Sequence, residues 1–347
     1  MVSLYEKNLL KNKFFSYEWK KKKVGCKMIS KSSFGITGNG EEAFLYTLTS
    51  EKGMIMKVTN YGATLCALYM PDRDLNFRDV VLGYDDVNGY DKRTGTYFGV
   101  TLGQIANYAS DNFSHRLWKE KKFTDDSVTF QLHSLVGDQG FPRAVDIDLT
   151  YILNDNKIAI IHTVKAEEET FFNITNHSYF NLNGHDSSDI LEHLMWINAD
   201  EYLETNEEMI PTGKIIGVED TQMDFRKYKR VGEIIHNKYE TLITGNGYDC
   251  NWVLNKKNDF DKVAMLHSEK SGITMEIFTD MPGMRINVGN AIKNEMGKQG
   301  VVYGKNQGVC FQTQYFPNAV NEPEFEIAKL DADKRFSSVT VFKFTVQ

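Results

Sequence analysis

The chain has 347 residues, 41% of them hydrophobic and 25% charged, enough to bury a core without help from metals or disulfides. Its formal net charge of −7 argues against a nucleic-acid partner, which favours a basic face. The four cysteines, Cys26, Cys66, Cys250 and Cys310, show no CxxC spacing and no histidine cluster nearby. That pattern gives no support to a zinc site or a thioredoxin-like motif and is simplest as free thiols in a reducing compartment.

Residues 1–34 read as a basic extension with little periodicity. Leu9, Leu10, Phe14 and Phe15 are apolar, but Lys7, Lys11 and Lys13 flank and interrupt them, so no h-region of signal-peptide length forms. The lysine run at 20–23 reads as a solvated arm. No stretch approaches the ~18 apolar residues of a membrane span. A cytoplasmic protein without a membrane partner is expected.

Residues 35–347 read as one domain, with no internal repeat and no linker rich in Pro, Gly or Ser. Short, largely apolar segments bounded by Gly, Asn, Pro or Asp predict strands at 44–48, 54–58 and 65–70. The segment 82–86 reads as a turn rather than a helix start. More strands are expected at 127–132, 147–153, 158–164, 273–279 and 338–346. In the last, Phe342, Phe344 and Val346 alternate with Val341, Lys343 and Thr345, and the first set is expected to face the core. Long amphipathic helices are scarce. The pattern predicts an all-β, antiparallel sandwich.

Three segments stand out: Thr175-Asn176-His177-Ser178-Tyr179-Phe180-Asn181-Leu182, Gly247-Tyr248-Asp249-Cys250-Asn251 and Phe311-Gln312-Thr313-Gln314-Tyr315-Phe316-Pro317. Together they resemble the signature segments of the aldose 1-epimerase (galactose mutarotase) family. Shorter matches in the family's order include Asn60-Tyr61-Gly62-Ala63, Gly137-Asp138-Gln139-Gly140-Phe141-Pro142 and Ile210-Pro211-Thr212-Gly213. The resemblance runs from about residue 40 to the C-terminus. It implies a large galactose-mutarotase-like β-sandwich with a sugar cleft across one sheet. It also implies interconversion of the α and β anomers of a free hexose, galactose or glucose, with no cofactor and no metal. The implied partner is a small-molecule sugar, and a monomer or weak homodimer is expected.

By that resemblance His177 matches the family's general acid, a role that suits an imidazole with a pKa near neutrality. A lone histidine would be read as a hydrogen-bonded residue of a sheet interior; its place in an eight-residue match favours function. Asp249 matches the acceptor of sugar hydroxyls, and the competing reading is a turn Asp after Asn246-Gly247. Gln312 occupies the position of the family's general base, a glutamate. An amide is neutral and cannot take a proton there. Asn107 and Tyr108 align with a sugar-holding Asn-Arg pair, the arginine being lost here, and Gln104 replaces a second arginine. The family's loop with a second active-site histidine is missing between Asn112 and Phe113. His115 lies near that deletion but outside the motif and takes no role; His133 and His185 read as structural or surface residues.

Three further expectations attach to the pocket walls. Cys250 replaces a histidine and Ile286 an aromatic, both expected to alter the sugar's surroundings. Arg285 is expected either to pair with Asp249 or a ligand anion, or to lie at the surface. Two function classes follow. One is a working epimerase with a substitute base, for which Asp280 and Glu322 are candidates. The other is a sugar-binding or regulatory protein on the same scaffold, impaired in turnover. An enzyme with a rebuilt pocket acting on a different ligand is a further alternative, since fold does not fix function.

Overall fold

The computed structural model describes residues 28–92, 95–103, 113–233, 235 and 239–347. Three large antiparallel sheets dominate. A nine-stranded sheet runs in the order Lys229–Arg230, Leu194–Ile197, Asp261–His267, Ile273–Thr279, Arg335–Val346, Lys157–Ala166, Val145–Asn154, Ser127–Ser134, Lys119–Phe123. Against it pack a five-stranded meander over residues 28–79 and a six-stranded sheet. The six-stranded sheet has the order Tyr179–Phe180, Val309–Gln314, Gly283–Asn287, Asp249–Val253, Glu201–Thr205, Pro211–Gly217.

Each strand expected from the sequence lies within or largely overlaps an observed one. The reason is visible in Val145–Asn154, where burial alternates strictly along the strand: Val145, Ile147, Leu149, Tyr151 and Leu153 point inward. These meet Val128, Phe130, Ile158 and Ile160 from neighbouring strands, and Met56, Val58 and Leu65 from the meander. The six-stranded sheet contributes Cys250, Trp252, Met284, Ile286 and Phe311 to the same core. Ring contacts cross the layers, as between Phe180 and Phe342 at 5.1 Å and Tyr46 and Phe130 at 5.1 Å.

Three local expectations change. The first strand, Met28–Ile36, takes in residues 28–34, which composition assigned to the extension, and pairs with Glu42–Thr49. The segment 82–86 leads into a helix after all: Asp86 caps Val87–Asp91 by accepting from the backbone N–H of Asn88 and Gly89. In the last strand Phe342 and Phe344 enter the main core, but Val346 is exposed. Val341 is buried as well, in a separate cluster with Ala159 and Val339 on the opposite face. Lys343 stays partly exposed and pairs with Glu276 at 3.0 Å.

A buried ion pair ties the meander to the loop after Asn287. Lys298 Nζ donates to Asp79 Oδ2 at 2.6 Å and to the carbonyls of Cys66 and Val81. All three ammonium donors are thus satisfied away from water, as a buried charge requires.

Candidate functional site

The site follows from the register of three strands in the six-stranded sheet. Asn251 lies opposite Arg285, and Arg285 opposite Gln312. Asp249 lies opposite Asn287, and Asn287 opposite Cys310. Because side chains alternate along a strand, Asp249, Asn251, Arg285, Asn287, Gln312 and Gln314 share one face. Cys250, Trp252, Met284, Ile286 and Phe311 share the other, which is the core.

His177 joins the polar face from the next segment. Tyr179 pairs with Cys310, and Thr175 Oγ1 donates to Thr313 O at 3.0 Å, so His177 runs beside Gln312. Its backbone is clamped on both sides: His177 N–H donates to Val100 O at 2.9 Å, and Gly99 N–H donates to His177 O at 3.1 Å. Gly99 adopts φ +70°, and a Cβ there would overlap the carbonyl of Leu65. Only glycine gives that approach.

Asn176 completes the clamp. Its Nδ2 donates to Gly99 O and to Tyr151 Oη, and its Oδ1 accepts from Ser178 N–H and Oγ. Asn176 and Ser178 therefore shape the main chain around His177 rather than orient its ring. The ring is held by aromatic edges, Tyr179 at 5.1 Å and Tyr97 at 6.1 Å between centroids. Tyr97 lies in turn 6.2 Å from His115, which places that histidine one ring further out.

The charged groups are few. Arg285 Nε donates to Asp249 Oδ1 at 2.7 Å, with both side chains only 17% exposed. Burial, followed by the Arg285 charge, pushes His177 down to about 4 even though the Asp249 charge partly offsets them. The imidazole is therefore neutral at pH 7. Three buried atoms of this face have no hydrogen-bond partner: His177 Nδ1, Gln312 Oε1 and Gln314 Oε1. Buried polar atoms are normally satisfied, so three orphans on one face set it apart from the rest of the sheet.

The expected site residues divide as follows. His177, Asp249 and Gln312 come together on one face although far apart in sequence. Asn107, Tyr108 and Gln104 lie outside the described residues. Cys250 and Ile286 do not line the site: both point into the core, the Cys250 thiol donating to Leu203 O. Arg285 takes the Asp249 pairing and not the surface position. Asp280 accepts from Val339 N–H and Glu322 from Asn318 Nδ2, each in a local contact of its own. His185 bonds to Tyr303 Oη inside the fold and His133 pairs with Asp146 at the surface. Asn251, Asn287 and Gln314 join this face beyond the expected residues; their two-residue spacing from Asp249, Arg285 and Gln312 is the sequence signal that marks them.

Known proteins agree with this architecture. The aldose 1-epimerase family model matches residues 45–116 and 109–343. The chain belongs to the aldose 1-epimerase family. It is 31% identical over 346 residues to the galactose mutarotase of Rattus norvegicus, covering 92% of this chain and 99% of that one. It is 30% identical to the aldose 1-epimerase of Haemophilus influenzae, covering 91% of this chain and all of that one. A solved aldose epimerase homologue from C. elegans superposes with a TM-score of 0.79 at 25% identity, over 92% of this chain and 99% of that one. As an aldose 1-epimerase family member the chain keeps the antiparallel β architecture. It carries Gln312 where the resemblance implies a glutamate. No helix among its described residues is long and apolar enough to cross a membrane.

Proposed function

We propose that this family member binds the ring form of a free hexose, galactose or glucose, on the His177–Asp249–Gln312 face, and that anomer interconversion there is slow. The observation that carries the reading is Gln312: a buried amide, cross-strand from Arg285, with an unpartnered Oε1 where the reaction needs a base.

Mutarotation requires the ring oxygen to gain a proton while the anomeric hydroxyl loses one. The ring then opens, the aldehyde end rotates and the ring closes on its other face. Gln312 accepts a hydrogen bond from a hydroxyl but cannot remove its proton. His177 is also poorly set as the acid. With a pKa of about 4, only about one molecule in a thousand carries the imidazolium at pH 7. A neutral His177 still hydrogen-bonds a sugar oxygen or hydroxyl. Asp249, held by Arg285 through Oδ1, retains its second oxygen for a ligand hydroxyl.

A second reading has one supporting observation. Asp249 is a carboxylate on the same face and is able to replace the missing base. Polarimetry on freshly dissolved α-D-glucose and α-D-galactose separates the two. The binding reading expects little acceleration over buffer, with sugar affinity that falls in His177→Ala and Asp249→Asn. Robust mutarotation abolished by Asp249→Asn and by His177→Ala would replace it with the second. A cytoplasmic location and a monomeric or weakly dimeric state complete the proposal. Light scattering tests the last of these.

A further inference from the structure

A separate cavity of about 280 Å³ opens beyond one end of the polar face. Its lining includes Gln139, Phe171, Phe172, Tyr315, Phe316 and Ile327, and none of its lining residues carries a charge. Phe316 is the shared wall. Its ring also lies against the polar face at Gly283, where a Cβ would come within 3.0 Å of ring carbons. From Gln312 to Phe316 is four residues, roughly 13 Å of extended chain.

The cavity offers two kinds of contact. Phe171 and Ile327 leave apolar surface exposed at its rim, 41% and 38% respectively. Gln139 supplies polarity: both its Nε2 and its Oε1 are buried without a hydrogen-bond partner. Asn173, by contrast, is spent on the backbone of Tyr315, donating to its carbonyl and accepting from its N–H. Gln139 is further held at φ +53°, a left-handed conformation that a non-glycine residue adopts at a cost. A strained residue with an unsatisfied donor and acceptor, set among aromatic rings, is a binding arrangement rather than a packing one. The uncharged lining leaves no counter-charge for a phosphate or carboxylate.

We propose that this cavity is a second carbohydrate site, taking an uncharged pyranose ring against its aromatic wall with hydroxyls on the Gln139 amide. The choice of a pyranose over another neutral ring rests on the hexose reading of the adjacent face. The ring has two sources: the distal unit of an oligosaccharide whose reducing end lies at His177, or a separate sugar.

The test is methyl NMR of the full chain titrated with methyl glucoside, methyl galactoside, lactose and maltotriose. The Ile327 and Val320 methyls report the cavity; the Gln312 and Gln314 side-chain amides report the polar face. Saturable shifts at the cavity methyls are expected, with affinity lowered about tenfold in Phe171→Ala and in Gln139→Ala. Tighter binding of the oligosaccharides, weakened by Asp249→Asn, identifies the distal unit. Equal affinities unaffected by Asp249→Asn identify a separate sugar. Cavity shifts without shifts at the Gln312 and Gln314 amides would retain the second site and overturn the hexose reading of the polar face. Silence of the cavity methyls with every sugar, or sugar shifts unchanged in both variants, would overturn the proposal itself. So would saturation by indole where no sugar binds.

Discussion

Arg285 lies directly across from Gln312 in the ladder between Gly283–Asn287 and Val309–Gln314, and the same side chain holds Asp249 at 2.7 Å. A guanidinium therefore stands between the position expected to hold a base and the carboxylate expected to hold sugar hydroxyls. It favours negative charge at both, and it disfavours the protonated form of His177.

This geometry sets the outcome of restoring the glutamate. In Gln312→Glu the new carboxylate faces Arg285, which keeps it ionised but lowers its basicity. A positioned base contributes roughly 10²–10⁴-fold where its partners are in place. Gln312→Glu is expected to raise mutarotation well short of that range, because the acid and base act as a unit and His177 remains mostly neutral. Polarimetry on α-D-galactose with both chains decides it. A full restoration would show that His177 is protonated in the sugar complex.

Removing Arg285 tests the ion pair. Arg285→Gln leaves Asp249 without its partner in a largely dry setting and is expected to lower stability by about 3 kcal/mol. The double variant Arg285→Gln with Asp249→Asn is expected to recover most of that loss, since neither charge is then stranded. Urea unfolding of the four chains of this cycle measures the coupling. Equal destabilisation by the double and single variants would contradict it.

Acid stability follows from the buried histidines, three of which are shifted far down. His177 is pushed down to about 4, and His162 and His193 to about 3, in each case chiefly by burial. His193 also uses Nε2 to accept from Leu182 N–H, which protonation would forbid. Folded pKa values below the unfolded value near 6.5 mean that the unfolded chain binds more protons in the interval. The contribution to stability is whole above pH 6.5 and is lost as pH falls toward 4 and then 3. Each histidine is expected to contribute a loss of about 2 kcal/mol between pH 7 and pH 5. Urea unfolding at the two pH values checks the sign, and His162→Gln should reduce the dependence. Stability unchanged over that interval would rule the account out.

The Lys298–Asp79 pair gives a prediction remote from the site. Their side chains are 5% and 3% exposed. Lys298→Met strands a buried carboxylate and is expected to cost about 3–5 kcal/mol. Thermal unfolding should show a large drop in Tm, with sugar binding at the polar face intact in the folded fraction.

The sequence by itself determined the family, the all-β class and most of the strand positions. Signature segments such as 175–182 are contiguous in the chain, and inward-facing residues recur every second position, so both are local signals. It also marked Gln312 as an amide where a base was expected. Which face each residue occupies was decided only by pairing between distant strands. Cys250 and Ile286 sit next to Asp249 and Arg285 in sequence, yet one step along a strand turns the side chain to the opposite face, and both enter the core. Register likewise brought Arg285 between Asp249 and Gln312, residues 36 and 27 positions away along the chain. The low pKa of His177 needed the burial around the ring and then the charge of Arg285, which Asp249 partly offsets. A hydrogen-bond partner, or its absence, belongs to the packed structure, because the groups that bury an imidazole and charge its surroundings come from strands that sequence proximity does not connect.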